Sequence, residues 1–587
     1  MFSISDNPNA ELLSANERYD MAMEEQEMVN LPEFPFIDFE QELEERIARQ
    51  HELPEETQPE GQPQPEKTEY ISKKDNIVWS NTPVCDARGR EPARNIISTE
   101  AKAVTTVDNY ADAFFQFFDN YVWRSTVEHT NQYIQILNVK RPEPARLTDV
   151  DELKALVGLL LICAQDKSEH CDVDYLWYDD EMCRPILKLV MSAHRFRFLL
   201  RVLRFDNRTT REYRKKLDCF YPIRDLAEHV NKNFAERFVP TEAVVIDEML
   251  WKYRGKVHFR QYIPSKPGRY GIKTFAICDS KTNYTFQIEP YLGANTGPMA
   301  QSNKAFDLVC RLAKPFFGTR RNITMDNFFT SIPLAEFLLS QNLTILGTLR
   351  KNKKEIPPEF VVLDKSQTIQ HKVGYRDKMT LLQYSNKKEK MVLMLSTAHK
   401  RMKIDINGKP NLINEYNSSK FGVDVVDQMC ANYNTARVAT RWPMCVFFNL
   451  VNISAINALV IATFSKLEIK SRRNFIKKLG LQLVENHMRN RLSSGHLSRQ
   501  LTESIQKHLG EDGRSSLTEN VHQISNKRQR CGHCVRSDDV KTRFTCLSCK
   551  SFVCYTSEPS CHGRMICVRC LDTCLANLSP TLFNDSF

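Results

Sequence analysis

Residues 243–253, AVVIDEMLWKY, mark the point at which the chain changes character, and they decide its fold class. Branched and aromatic side chains with few charges among them are typical of a buried strand. Further stretches of this kind follow at residues 270–279, 284–291 and 322–326. Before residue 243, apolar residues recur at the three- and four-residue spacing that is typical of helices. The pattern therefore predicts a mixed α/β core that follows a helical domain.

Acidic residues stand at the ends of two of these predicted strands. Asp247 follows an apolar run, and Asp326 ends the last of the four stretches. On neighbouring strands, the two carboxylates would project from one edge of the sheet and share a divalent cation, because Mg²⁺ prefers oxygen ligands. Asp424 and Asp427 lie three residues apart in a predicted helix and therefore share one face of it.

This set of carboxylates suits phosphodiester transfer. That reaction develops charge on the attacking and the leaving oxygen, and a pair of metal ions neutralises both. An aspartate at the end of a strand, however, is most often a turn residue or a helix cap. The spacing of the carboxylates alone leaves both interpretations open.

Length and charge point to several domains and a polyanionic partner. A chain of 587 residues exceeds what one hydrophobic core supports, so we expect two to four domains. Residues 1–66 contain 18 Asp or Glu against three Arg, a net charge of −15 within an overall +9, which leaves +24 for the rest of the chain. A body this basic favours nucleic acid over a membrane, although many basic surfaces are only solvated.

The longest uncharged stretch, residues 442–465, has the length of a membrane span. Five polar side chains interrupt this stretch, and three of them are asparagines. The five are Asn449, Asn452, Ser454, Asn457 and Thr463. A buried helix explains the stretch better than a bilayer does.

Cysteines concentrate near the end of the chain, where nine of the 18 lie within residues 531–574. Three CxxC pairs predict two structural, tetrahedral Zn²⁺ sites. Their order suggests a cross-brace, with one site of Cys531, Cys534, Cys554 and His562 and another of Cys546, Cys549, Cys567 and Cys570. Cys561 is the alternative to His562 as the last ligand of the first site. Cys574 and His533 are not needed as ligands for either site.

Three ordered blocks resemble the piggyBac family of transposases. The first is IDEMLWKYRGKVHFRQYIPSKPGRYGIKTFAICDS at residues 246–280, and the second is ITMDNFFTSIPLAEFL at residues 323–338. The third is GVDVVDQM at residues 422–429, followed by RWPM at residues 441–444. The resemblance extends over most of residues 100–575.

The resemblance implies an α+β multidomain protein with an RNase H-like catalytic core. Asp247, Asp326 and Asp424 would be the ligands of two Mg²⁺ ions, with Mn²⁺ as an alternative, and Asp427 would support them. The implied activity is cut-and-paste DNA transposition: strand cleavage, hairpin formation, joining to TTAA target sites and seamless excision. The implied partners are the transposon inverted repeats, TTAA target DNA and a second copy of the chain.

The resemblance also gives roles to the segments of the chain. We expect an acidic disordered tail at 1–96, a helical dimerisation and DNA-binding domain at 97–242 and 435–520, the catalytic domain at 243–351 and 411–434, an insertion at 352–410, a basic linker at 521–529, the cysteine-rich zinc domain at 530–576 and a tail at 577–587.

Basic and aromatic residues around these blocks are candidates for DNA contact. Arg350 and Lys353 match basic residues that the family uses near target DNA, with an exposed basic loop as the alternative. The others that we expect to contact DNA near the site are Tyr262, Lys266, Lys273, Arg437, Arg441 and Trp442. For Trp442, a place in the core is an equal alternative to stacking on a base.

Two other classes of function compete with the active transposase. One is a domesticated DNA-binding or chromatin protein that keeps the fold without mobility. The other is a ubiquitin ligase, because cross-brace zinc is also the RING arrangement, although the upstream blocks count against it. Action on DNA predicts a nuclear location, for which the basic residues Lys527, Arg528 and Arg530 are a weak import signal.

Overall fold

The structure is a computed structural model of the chain. It describes residues 68–73, 76–83, 100–139, 143–178, 184–293, 302–364, 367, 369–387, 390–406, 408–494, 497–510, 524–530, 541–544, 551–552, 560–561 and 564–565. By its internal contacts the chain divides into two units, Met1–Asn490 and Arg491–Phe587. All of the predicted carboxylates lie in the first unit.

The first part of this unit is helical, as predicted. Its helices are α1 (Tyr110–Phe115), α2 (Asn120–Asn138), α3 (Val150–Gln165), α4 (Val173–Trp177), α5 (Pro185–Val190), α6 (Ala193–Val202), α7 (Arg211–Leu217) and α8 (Arg224–Glu236). Aspartates begin the two long ones: Asp119 accepts from Tyr121 N and Val122 N at the start of α2, and Asp149 caps α3. Such caps satisfy amide groups that a helix leaves unpaired at its first turn.

A mixed sheet of eleven strands forms the centre of the unit. Its strands are β1 (Glu69–Ile71), β2 (Val78–Ser80), β5 (Ala243–Lys252), β6 (Arg260–Tyr262), β7 (Tyr270–Asp279), β8 (Thr285–Pro290), β9 (Asn322–Met325), β10 (Thr344–Leu349), β11 (Gln370–Arg376), β12 (Met379–Lys387) and β13 (Lys390–Ser396), while β3 (Lys102–Ala103) and β4 (Phe238–Val239) pair separately. The order is β1-β2-β11-β12-β13-β10-β9-β5-β7-β6, with β8 beside β7. Strand β9 runs parallel to both β5 and β10, whereas the other pairs are antiparallel. The four strands expected from the sequence are confirmed.

Two parts of the chain differ from their predictions. The charged, irregular insertion expected at 352–410 contains the regular strands β11, β12 and β13, which extend the central sheet beyond β10. The prediction of a disordered tail at 1–96 is wrong for the residues described there, 68–73 and 76–83. These residues include β1 and β2, which form a hairpin that pairs with β11 through Ser80 and Tyr375. The hairpin buries Trp79 completely, so burial of an aromatic side chain stabilises it.

Helices α9 (Ala305–Ala313) and α10 (Ile332–Ser340) lie between strands of the sheet along the chain. After β13 come α11 (Asn411–Ser419), α12 (Gly422–Asn432), α13 (Trp442–Phe464) and α14 (Arg472–Ser493). The second unit contains α15 (Arg499–His508), the hairpin β14 (Ile524–Arg530) and β15 (Lys541–Phe544), and the pair β16 (Ser560–Cys561) and β17 (Arg564–Met565). Strand β14 occupies most of the predicted linker at 521–529.

The uncharged stretch forms α13, the one helix among the described residues that is long and apolar enough to span a membrane. In the most apolar 18-residue part of this helix, 94% is buried inside the protein. Its asparagines have partners there: Asn457 accepts from Thr285 N and donates to Thr285 O, both at 2.8 Å. Asn452 accepts from Thr435 N and Thr435 Oγ1, at 3.1 and 2.8 Å. The predicted buried helix is confirmed.

We expect Asn457→Ala to lower the free energy of unfolding by roughly 2–4 kcal/mol, because it leaves the buried N–H and C=O of Thr285 without partners. Asn449→Ala on the same helix is the control, since Asn449 is partly exposed and donates only to Cys445 O of its own helix and, weakly, to Cys445 Sγ. Denaturant unfolding of both variants measures the difference. If both variants lost the same free energy of unfolding, the hydrogen bonds between Asn457 of α13 and Thr285 of β8 would have no special role in stability.

Candidate active site

The first two carboxylates lie side by side on neighbouring parallel strands. Ile246 of β5 pairs with Met325, the last residue of β9, so Asp247 on β5 lies beside Asp326, which directly follows β9. Asp247 accepts a hydrogen bond from Glu248 N, and Asp326 accepts one from Phe328 N, both at 2.8 Å. The sheet thus holds both residues at one edge, as the sequence predicts.

Burial and mutual repulsion make this edge unfavourable for bare negative charge. Burial, together with the charges of Asp424 and Asp326, raises the pKa of Asp247 to about 7, although the hydrogen bond from Glu248 N opposes the shift. The pKa of Asp326 is also raised, chiefly by burial and then by the charge of Glu248, while Arg350 opposes the shift. Neighbouring positive charge would therefore stabilise the ionised carboxylates.

Helix α12 carries the third and fourth carboxylates and lies directly on the sheet. A Cβ atom on Gly422 would meet Val245 Cγ1 at 2.5 Å and Asp279 O at 3.2 Å, so only glycine allows this approach. The preceding helix is tied to β9 by the buried hydrogen bond between Thr324 Oγ1 and Ser419 Oγ, at 2.8 Å. These two contacts fix the start of α12 relative to the strand ends.

Lysine 266 joins α12 to the loop between β6 and β7. Its Nζ donates to Asp424 Oδ1 at 2.7 Å and lies 3.8 Å from Asp427 Oδ2. Burial raises the pKa of Asp427 to about 6, although Lys266 opposes that shift. Lys266 therefore supplies positive charge to the carboxylates of α12 from inside the chain.

The donor chemistry of the edge fits a divalent cation, since every donor is a carboxylate oxygen and the charges of Asp424 and Asp326 raise the pKa of Asp247. Within the described residues, no group of three or more His, Cys, Asp or Glu side chains is arranged to hold a metal ion as it stands. The side chain of Asp424 is half-exposed and accepts a hydrogen bond from Lys266.

Three side chains beside the strand ends were not singled out from the sequence: Glu248, Asn327 and Phe328. Glu248 is paired with Lys273 at 3.3 Å, and Lys273 Nζ lies 5.3 Å from the ring centroid of Phe328. Asn327 accepts from Arg350 Nε at 3.3 Å. Their positions next to Asp247 and Asp326 in the sequence, IDE and MDNFF, are the signal that identifies them.

The cations expected to contact DNA fall into two groups. Arg350 is exposed beside Asp326, and Lys353 lies in the turn that follows it, where Lys353 N donates to Arg350 O. Arg437, by contrast, is buried and donates to Ser168 O. Arg441 donates to Leu203 O and Leu200 O at the end of α6, both at 2.9 Å.

Trp442 is also engaged within the protein. It stacks on Phe220 with ring centroids 5.4 Å apart and meets Phe259 edge-on at 5.2 Å. The structure thus favours the core alternative for Trp442, and it assigns Arg437 and Arg441 to carbonyl groups of the helical part of the chain. Arg437 and Arg441 thus have partners inside the protein, and their contact with DNA stays a prediction.

The zinc ligands cannot be placed in this way. The residues Cys531, Cys534, Cys546, Cys549, Cys554, His562, Cys567 and Cys570 lie outside the described residues. Cys561 is described only as part of β16. Both zinc sites stay predictions.

Comparison with known proteins agrees with this geometry. A family model described as transposase IS4 matches residues 110–459, a range that contains all four carboxylates. A solved structure, a piggyBac transposase synaptic complex with hairpin DNA, has a TM-score of 0.67 and 32% sequence identity, and the match covers 80% of this chain and 100% of that one. The chain belongs to the piggyBac-like transposase family. As in that structure, this piggyBac-like chain has a mixed α+β fold with a large mixed sheet.

Two curated human proteins are more distant relatives of this piggyBac-like chain. They are the PiggyBac transposable element-derived protein 3 and the Chimeric ERCC6-PGBD3 protein, each 26% identical over 259 residues. The match covers 40% of this chain and 43% and 24% of the two relatives. The chain thus spans less than half the length of either curated relative.

We expect Gly422→Ala to lower the free energy of unfolding by about 1–3 kcal/mol, although alanine normally favours a helix, because the new Cβ overlaps Val245. Gln428→Ala on the same helix is the matched control and should change stability by less than about 0.5 kcal/mol. Thermal unfolding of both variants measures this. A stable Gly422→Ala protein would mean that α12 does not depend on its close approach to β5.

Proposed function

We propose that the protein is a DNA transposase of the piggyBac type that moves an element by a cut-and-paste reaction. The observation that carries the proposal is the alignment of Asp247 and Asp326 on adjacent parallel strands, with the helix of Asp424 anchored against them. Metal-assisted cleavage of a DNA strand uses acidic groups in this kind of arrangement, because they hold the cations that neutralise charge at the reacting phosphate.

The strand order supports an RNase H-like catalytic core. Strands β5, β7 and β8 form an antiparallel series, and β9 and then β10 join the other side of β5 in parallel. The two central parallel strands carry Asp247 and Asp326. This is the topology that the proposed core requires, and the inserted strands β11–β13 extend it from the β10 edge.

Asp247, Asp326 and Asp424 are the residues that would hold two Mg²⁺ or Mn²⁺ ions, with Asp427 in support. When bound, the ions supply Lewis-acid activation and neutralise charge on the entering and the leaving oxygen. The chain itself contributes orientation, because β5 and β9 fix two carboxylates rigidly. It also contributes positive charge, through Lys266, Lys273 and Arg350 around the acidic edge.

The proposed reaction has four stages. Water cleaves one strand at the transposon end and frees a 3′-hydroxyl. This hydroxyl attacks the opposite strand, displaces its flanking DNA and forms a hairpin. A second water molecule hydrolyses the hairpin phosphodiester and frees the 3′-hydroxyl again, which then attacks a phosphodiester of the TTAA target and breaks that target strand as it joins it. The hairpin DNA bound by the solved relative supports the second stage. Exposed Arg350 and half-buried Lys353 would lie where target phosphates pass beside Asp326.

The wider assignments belong to the same proposal. They are a homodimer acting on paired transposon ends, a nuclear site of action, and a cysteine-rich segment at 530–576 that uses two structural Zn²⁺ ions to bind end DNA. Zinc would supply the folding free energy of a segment too short to form its own core.

We expect Asp247→Asn, Asp326→Asn and Asp424→Asn each to reduce excision of a reporter flanked by the element's own ends and TTAA sites by roughly a hundredfold or more. Each change removes a negative charge with little change in shape. Asp377→Asn, an exposed carboxylate in the turn between β11 and β12, is the control and should retain activity. Full activity in any of the three site variants would refute the assignment of that residue.

Divalent cations should stabilise the natural chain in the absence of DNA. We expect Mg²⁺ or Mn²⁺ to raise the melting temperature, because a bound cation relieves the repulsion among buried carboxylates and binds only the folded state. Asp247→Asn should lose this rise, and Asp377→Asn should keep it. A rise of the same size in Asp247→Asn would point to a cation bound elsewhere in the chain.

A domesticated DNA-binding or chromatin protein is the second candidate, because one of the curated human relatives is described as derived from a transposable element. The excision assay separates the two functions. A natural chain that binds end DNA tightly without excising the reporter would favour this second candidate, whereas excision would exclude it.

A further inference from the structure

The hairpin formed by β6 and the start of β7 is unusual in charge. Residues 251–278 contain seven Lys or Arg and no Asp or Glu. Strand β6 lies at the end of the sheet order, so its outer side has no neighbouring strand within the described sheet. A cationic edge of this kind suits a polyanion that runs along it.

Two tyrosines form the surface of this hairpin. Tyr262 and Tyr270 are cross-strand partners, and their ring centroids lie 4.8 Å apart at an interplanar angle of 38°. Their exposures are 55% and 40%, which is high for aromatic rings that are in contact with one another. The guanidinium of Arg260 lies 5.4 Å from the Tyr270 centroid. The three groups form a row of cation, ring and ring that ends at the more exposed Tyr262.

The loop that joins the two tyrosines brings this row close to the carboxylates of the candidate active site. Lys266 lies in this loop and contacts Asp424 at 2.7 Å. The loop is closed by backbone hydrogen bonds from Ile263 N to Arg269 O at 2.8 Å and from Lys266 N to Ile263 O at 3.2 Å. The tyrosines and the lysine therefore belong to one folded hairpin, a few residues from the proposed reaction centre.

Exposed rings in such a row can accept a further planar group by stacking. In a regular duplex the bases are stacked on one another and present only their edges, so a ring has no base face to contact. A nucleotide whose base is unpaired does present a face, and aromatic stacking of such bases is largely independent of sequence. The surrounding cations would bind the phosphates on either side.

We propose that Tyr262 and Tyr270 form a stacking platform for an unpaired base of the DNA next to the reacting phosphate. The platform rests on the proposed function, because the reaction passes through a hairpin whose tip contains unpaired nucleotides. It adds a specificity for distorted over regular DNA that the carboxylates do not provide. Contact of the Tyr262 hydroxyl with a phosphate is the competing role, and it would be lost in Tyr262→Phe.

The test compares two probes that share the element's end sequence, one closed by an unpaired loop and one ending bluntly. Fluorescence anisotropy of the full-length protein gives both affinities. We expect the natural chain to prefer the looped probe, and Tyr262→Ala to bind that probe roughly ten- to a hundredfold more weakly while its affinity for the blunt probe is unchanged. Tyr262→Phe should keep the preference, since it retains the ring.

Val362→Ala is the control, because Val362 is an exposed apolar side chain in the insertion, outside the segments that we expect to bind DNA. It should leave both affinities unchanged. An equal loss for both probes in Tyr262→Ala, or no loss, would overturn the stacking role. Loss of the preference in Tyr262→Phe would overturn it in favour of the hydroxyl contact. A natural chain that binds neither probe would instead refute the proposed function, and with it this inference.

Discussion

Like charges gathered at one edge of a sheet are the constraint on which the site depends. Asp247 and Asp326 are partly buried beside each other, and burial together with the repulsion of nearby carboxylates raises the pKa of both. Such a pair is unfavourable unless the backbone holds it, because either side chain would otherwise turn towards solvent. Parallel pairing of β5 with β9 provides that hold. The rest of the fold brings positive charge and a third carboxylate to this edge.

Helix α13 provides the rigid support behind the edge. An apolar helix of this length would be insoluble alone, and its burial against the sheet and the other helices removes that apolar surface from water. Its buried asparagines then fix where the neighbours lie, since Asn457 satisfies both backbone groups of Thr285 and Asn452 holds Thr435. Thr435 lies in the segment that follows α12, so the same helix limits how far α12 can move.

The sequence predicted the local features well and the distant pairings poorly. Strands expected at 243–253 and 322–326 occur as Ala243–Lys252 and Asn322–Met325, because buried strands have an apolar pattern of their own. The hairpin around Trp79 and the strands at 370–396 were missed. The hairpin around Trp79 pairs with a strand far away in the sequence, through Ser80 and Tyr375. The strands at 370–396 pair mainly with one another, but charged and polar residues alternate with their apolar ones, and this pattern resembles a loop.

The cations show why the site was harder to predict than the fold. In the sequence, four cations look alike, because all carry a positive charge and all lie in or close to the blocks that resemble the family. They are Lys266, Arg350, Arg437 and Arg441. The structure separates them by the partner that each finds: Arg437 and Arg441 bind backbone carbonyl groups, Arg350 binds an amide oxygen of Asn327, and Lys266 binds the carboxylate of Asp424. Buried guanidinium groups that bind carbonyls must stay in place, because leaving would expose unpaired polar atoms. The exposed or carboxylate-bound cations carry no such penalty, so they are the ones that can exchange their partner for a DNA phosphate.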